Sequence, residues 1–149
     1  MSETLDDATL VQTFPWVQIT HDSKHHFRGW LDQKLLISRC DDCSEFHHPP
    51  KPVCPDCWSA NLTPTEVAGT GTVHLAMHLY QGAPAPDVDY AKGPHPVVAV
   101  DLDGVEGVRF SSTVVDLPVD EVVVGLPVEI HWIERYGAPF PVFRKRENA

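Results

Sequence analysis

The chain has 149 residues, enough for one domain or for two small units sharing a core. Its 11 Lys and Arg against 21 Asp and Glu leave a net charge of −10, which repels a phosphate backbone and argues against general nucleic-acid binding. No stretch combines a basic region with an apolar run or reaches the length of a bilayer span, so a cytoplasmic protein with no membrane role is expected.

Residues 1–12 are acidic and small polar without a sustained period, and predict a flexible start. Asp22 is placed to cap a short helix from Ser23 to about Gln33, in which Phe27, Trp30 and Leu31 share a face. That stripe packs on the protein's own core or, because so short a helix is not stable alone, covers a partner or a ligand slot. Leu35, Leu36 and Ile37 predict a brief strand leading to the first cysteine pair.

The cysteines stand as Cys40-Asp41-Asp42-Cys43 and Cys54-Pro55-Asp56-Cys57, with ten residues between the pairs. Each pair is a knuckle that aims two sulfurs at one point, and two knuckles complete a tetrahedron around Zn²⁺. Redox work needs one Cys-x-x-Cys at a helix N-terminus after a strand, whereas both pairs here lie among Asp and Pro; a structural disulfide pair is the other alternative. In a reducing compartment a fourfold cysteine set is more often metal-bound than oxidised. Four thiolates leave no open coordination position, which predicts a structural ion. Between the knuckles, Pro49, Pro50 and Pro52 make a rigid extended arm. His47 and His48 on that arm are spare histidines, since the thiolates already suffice.

From Val67 onward the period becomes two. Gly71 to Tyr80 alternates Val73, Leu75, Met77 and Leu79 with Thr72, His74, Ala76 and His78, which predicts a long half-buried strand with the first set inward. Pro96 to Leu102, Val105 to Thr113, Val128 to Ile133 and Phe140 to Arg144 follow, with Asp103-Gly104 as a hairpin turn. Five short strands without a long helix fit the OB-fold better than a sandwich. The expected fold is mainly β: a flexible N-terminus and short helix over 1–37, a rubredoxin-like zinc ribbon over 38–65, and a five-stranded OB-fold barrel over 66–149.

The proline- and glycine-rich segment Gln81 to His95 is a loop of functional or disordered type. Tyr90 and Lys92 on it suit an adenine ring and a phosphate, and Lys34, Arg39 and Lys51 are the other cations for a pyrophosphate. His74 and His78 suit general acid–base work if their face opens on a partner's active site, and otherwise are polar residues facing water. Ser111 and Ser112 lie in a strand pattern without a nucleophile elbow, and no phosphate-cradling glycine motif occurs. No catalytic residues are expected.

The segments Phe27-Arg28-Gly29-Trp30, Pro49-Pro50-Lys51-Pro52-Val53-Cys54-Pro55, Gly69-Thr70-Gly71-Thr72-Val73 and Val123-Val124-Gly125-Leu126-Pro127-Val128 together resemble the acyl-CoA-associated zinc-ribbon plus OB-fold family, long filed as a domain of unknown function. The resemblance runs from Phe27 to Phe143. Ser44 and Trp58 stand where such knuckles often have glycine. The resemblance implies an accessory subunit of a thiolase-like enzyme that makes or breaks carbon–carbon bonds on acyl-CoA, as in the retro-aldol shortening of steroid side chains. Another branch of the family resembles a bridge between a thiolase and a hydroxymethylglutaryl-CoA synthase. Catalysis then belongs to the partner. An accessory subunit predicts aromatic surface anchors, for which Phe27, Trp30 and Trp58 are the candidates. A free-standing acyl-CoA binding or channelling module instead predicts CoA affinity without a partner, through weaker candidates Lys51, Tyr90 and Lys92.

Overall fold

The computed structural model describes residues 5–83 and 85–147. The chain opens with a helix, α1 (Asp7–Thr13), where a flexible start is expected from the composition. Asp6 caps it by accepting from the Thr9 N–H at 2.7 Å, and Leu10 with Phe14 four residues on are both wholly buried. Two apolar residues one turn apart thus suffice once a core exists to receive them. Residues 1–4, also assigned to the flexible start, lie outside the described residues.

The second helix, α2 (Lys24–Leu31), begins from Ser23 rather than from an Asp22 cap. The Ser23 hydroxyl accepts from the Thr20 N–H at 2.9 Å and so shapes the entering turn instead. Its inward stripe is as expected, but Trp30 is 5% exposed and belongs to the core rather than to the surface.

A small antiparallel sheet follows in the order β2–β1–β3, with β1 (Leu36–Cys40), β2 (Phe46–His47) and β3 (Leu62–Glu66). β3, which the sequence pattern does not announce, pairs along all of β1 from Leu36 opposite Glu66 to Cys40 opposite Leu62. It delivers both cysteine pairs to one end of the sheet.

The larger sheet is antiparallel and curled, of OB type, in the order β6–β5–β4–β7–β8. Its strands are β4 (Thr70–Leu79), β5 (His95–Leu102), β6 (Arg109–Ser112), β7 (Pro127–Arg135) and β8 (Ala138–Lys145). Its two ends meet where Val114 bridges Phe143 in parallel and the Val115 N–H donates to the Phe143 carbonyl at 2.8 Å. Val73, Val98, Val100, Val128, Val142 and Phe143 fill the interior, each at most 1% exposed. The Gly69–Val73 and Val123–Val128 segments meet in space: Val73 N–H donates to Leu126 O at 2.9 Å and Gly125 N–H to Val73 O at 2.8 Å.

Two expectations for this sheet change. The alternation along β4 does not hold, because the register slips between Val73 and Leu75, and the extra residue, His74, moves everything after it to the other face. Leu75 and Met77 are therefore 48% and 45% exposed, not inward. The strand expected from Val105 forms only from Arg109, and no two-residue hairpin turn joins it to β5. Val105 and Val108 in the connecting turns are buried instead, so apolar residues that read as strand serve as a plug.

At Gly71, β4 and β5 run so close that a Cβ would overlap the Asp101 carbonyl oxygen. Gly71→Ala is expected to force the strands apart and cost at least about 2 kcal/mol, read as a lowered urea midpoint of the metal-loaded protein.

Candidate metal centre and an aromatic pocket beside it

The knuckles are near copies of each other. The Ser44 N–H donates to Cys40 O at 2.9 Å and the Trp58 N–H to Cys54 O at 2.9 Å; Cys40 N–H and Cys54 N–H donate to Glu45 O and Ser59 O at 2.9 and 2.8 Å. Ser44 and Trp58 take φ of 67° and 66°, the left-handed turn for which glycine is the usual residue, so the two departures from glycine leave the turn geometry intact.

These turns gather all four sulfurs within 4.8 Å of one another. Cys40 Sγ lies 3.5 Å from Cys57 Sγ, and Cys43 Sγ lies 3.6 Å from Cys54 Sγ. A sulfur tetrahedron around an ion with metal–sulfur bonds of about 2.3 Å has edges of about 3.8 Å, so the four side chains fit such an ion with little movement. All four cysteines are unbridged, and their sulfurs form one cluster rather than two separate pairs. The Asp56 N–H points at Cys54 Sγ at 3.4 Å, as expected where sulfur is to carry negative charge. Backbone N–H groups, that of Cys43 most strongly, pull the Cys40 thiol down to about 7, whereas Cys43, against the pull of the Glu45 N–H, is pushed up to about 12 by burial and the neighbouring sulfurs, so without an ion the four sulfurs do not ionise together.

The acidic residues inside the first knuckle tie the two halves together. Asp42 accepts from the Ser59 hydroxyl and, at 3.0 Å, from Asn61 Nδ2, and these bonds hold its carboxyl below the ordinary range. Asp41 accepts from the Thr63 hydroxyl at 2.9 Å. His47 and His48 are not part of the sulfur cluster.

The remaining sequence candidates scatter. Lys51 is exposed on the proline arm. Tyr90 and Lys92 share one 3₁₀ turn, Tyr90–Lys92, capped by Asp89, whose side chain accepts from the Ala91 N–H at 3.0 Å. The Lys92 ammonium lies 3.9 Å from Asp89. The loop that carries them is anchored to the barrel by Arg135, which pairs with Asp87 at 2.7 Å and stacks over Phe140 at 4.0 Å. His74 Nδ1 lies 3.1 Å from Asp101, which Arg109 also holds at 2.9 Å, while His78 stands exposed. The Ser112 hydroxyl donates to the Pro141 carbonyl at 2.7 Å and thus has a structural task. Among the proposed surface anchors, Trp58 is 82% exposed, Phe27 is half-buried and Trp30 is enclosed.

Beside the ribbon, α2, the proline arm and the β6 and β8 edges of the barrel enclose an open pocket of about 320 Å³. Phe27 and Trp30 come from the helix, His48, Pro49 and Pro50 from the arm, and Phe110 and Phe140 from the barrel. His26 and His48 pack at a tilt of 46° with centroids 4.9 Å apart, His48 and Phe110 meet at 5.5 Å, and Trp30 meets Phe140 edge-on at 5.6 Å. His26 Nδ1 lies 2.8 Å from the Leu36 carbonyl, which can only accept, so Nδ1 carries the proton. Nε2 then accepts from Trp30 Nε1–H at 3.3 Å, and the ring is neutral with both nitrogens engaged. Burial, followed by the neighbouring His26 and His47 rings, pushes His48 down to about 4, so it too is neutral near pH 7. Its Nδ1 is buried without a hydrogen-bond partner among the described residues. Sequence reading singled out Phe27, Trp30 and His48 but not Phe110 and Phe140, which lie far apart in the chain and carry no local pattern of a site.

A rubredoxin-like ribbon joined to an OB-type barrel, with a four-thiol cluster between knuckles, defines a class of zinc-ribbon and OB-fold proteins. Residues 27–63 match the family described as ChsH2, rubredoxin-like zinc ribbon domain. Among solved structures, the "Ltp2-ChsH2(DUF35) aldolase" aligns with a TM-score of 0.76 and 32% identity, covering 87% of this chain and 98% of that one. A probable enoyl-CoA hydratase alpha subunit from Thermomonospora curvata is 34% identical over 131 residues, 87% of this chain; the chain spans 39% of that relative's length. A DUF35 domain-containing scaffold protein from Methanocaldococcus jannaschii is 26% identical over 108 residues, 68% of this chain and 72% of that protein. The chain belongs to the DUF35/ChsH2 family.

Proposed function

We propose that this chain is a non-catalytic accessory subunit of a thiolase-fold enzyme that cleaves carbon–carbon bonds of acyl-CoA thioesters, of the kind that shortens steroid or other side chains. It stabilises that partner and helps to hold the acyl-CoA. The observation that carries the reading is the likeness, over 98% of the matched chain, to a chain of the Ltp2-ChsH2(DUF35) aldolase. The chemistry of the chain agrees with it. The four thiols are gathered for an ion, which we take to be zinc, and four sulfur ligands leave it no open position for substrate. The His74 and Asp101 pair is exposed, and Asp101 is shared with Arg109. One relative named as a scaffold protein and another named as a hydratase subunit favour a second reading, a module that bridges a thiolase and another acyl-CoA enzyme.

Co-expression with a thiolase-like protein, followed by co-purification and a cleavage assay on a β-hydroxyacyl-CoA, separates these. The accessory reading expects a stable complex and cleavage only when both chains are present. Cleavage by the thiolase-like protein alone at an undiminished rate would refute it. Binding of CoA by the isolated chain with no association would move the weight to the free-standing module.

A further inference from the structure

We propose that the aromatic pocket between α2, the proline arm and the barrel binds the uncharged, ring-bearing part of a small molecule that carries a hydroxyl group. The inference stands on the pocket alone and does not require the accessory-subunit reading. At about 320 Å³ the pocket falls at the lower end of the ~300–1,000 Å³ common for ligand sites, room for a compact ring system. Phe27, Trp30, Phe110 and Phe140 line it, and faces and edges of aromatic rings receive another flat ring in offset or edge-on contact.

No Asp, Glu, Lys or Arg is among its lining residues, so an anion entering it would lose water and gain no opposite charge. Of a CoA thioester, the acyl end can enter and the phosphorylated end must stay outside. Ser23, His26 and Ser112 are hydrogen-bonded within the fold, and the polar side chains that remain in the lining, Gln18, His48 and Ser111, match a hydroxyl rather than a charge. The walls are built not to collapse: Trp30 is pinned by its bond to His26 at 3.3 Å, and Pro49, Pro50 and Pro141 have fixed backbones. A short helix that supplies two of the four aromatic walls thereby serves as a ligand cover as well as a core element.

The test uses the metal-loaded full chain, labelled with ¹⁵N, and three probes: naphthol, naphthalene and the anion naphthoate. Naphthol is expected to bind saturably with a dissociation constant of about 1 mM or tighter, moving the Trp30 indole N–H and the Phe110 and Ser111 amide signals. Naphthoate is expected to bind at least about tenfold more weakly. Ser111→Phe, at an exposed position of the edge strand β6, places a ring over the mouth and is expected to weaken naphthol binding about tenfold or more. His48→Phe keeps the ring but removes its nitrogens, and is expected to erase the preference for naphthol over naphthalene. Nuclear Overhauser contacts from naphthol to the Phe110 and Phe140 rings decide the matter without any variant. Signals that move elsewhere, equal binding of naphthoate, or unchanged affinity in Ser111→Phe would each overturn the proposal, and an unchanged preference in His48→Phe would overturn its hydroxyl part.

Discussion

Removing the metal ion, by a strong chelator or by Cys54→Ser, is expected to unfold the ribbon and to abolish partner binding. The sheet β2–β1–β3 has one strand of two residues and two of five, with Leu36 to Cys40 at its centre. Isolated sheets of this size are marginal without a further source of free energy. Binding of a structural Zn²⁺ contributes on the order of 10–16 kcal/mol in comparable small modules, because no preformed site exists in the unfolded chain. Cys54 is wholly buried and its N–H closes the second knuckle, so a serine there removes a thiolate ligand where no water can substitute for it. The measurements are metal content by plasma mass spectrometry and thermal melting with and without chelator. One ion per chain with a large fall in melting temperature is the expected result. A Cys54→Ser chain that melts as the wild type does and still co-purifies with its partner would show that the ion is dispensable. His48 and the proline arm belong to the ribbon, so naphthol binding should be lost together with the metal.

The second large effect divides the tryptophans. Trp30→Ala is expected to cost about 3–5 kcal/mol, since it empties an enclosed site bordered by Phe14, Phe27 and Phe140 and removes the N–H that fixes the His26 ring. Against a total stability of about 5–15 kcal/mol for a domain, a substantial fraction of the chain would be unfolded at 37 °C. Trp58→Ala is expected to change stability by no more than about 0.5 kcal/mol, because the ring is 82% exposed. If Trp58 is a partner anchor it should nevertheless weaken the complex by about 2 kcal/mol, roughly thirtyfold, as aromatic hot spots do. Chemical denaturation of each variant, set beside its affinity for the partner, separates the two roles. Equal loss of stability in both variants would mean that the exposed tryptophan is not the surface residue its position indicates.

Much of the centre was legible because its determinants are local. A Cys-x-x-Cys knuckle is closed by bonds between residues four and five apart, Ser44 to Cys40 and Glu45 to Cys40, so spacing alone reports it. The same holds for the long strands of the barrel, whose period of two survives in the chain until a bulge interrupts it. The bulge at His74 was not legible: nothing in Val73-His74-Leu75 marks an extra residue, and only pairing with β5 and with the Val123–Val128 segment creates it. Leu75 and Met77 read as core for that reason. α1 was missed because its seven residues cannot form a helix alone, and Leu10 and Phe14 are ordered by a core they do not themselves predict.

Composition, the period of two and cysteine spacing by themselves determined that this chain is acidic, mainly β and built on a four-sulfur centre, because charge sums, strand alternation and short-range turns need no partner elsewhere in the chain. Tertiary structure alone decided which aromatic residues are exposed, which face of β4 meets water, and that α2, the proline arm and two barrel strands enclose one pocket. Those features depend on contacts between segments far apart in sequence, such as Trp30 with Phe140 and His48 with Phe110, and no local pattern encodes the distance that folding removes.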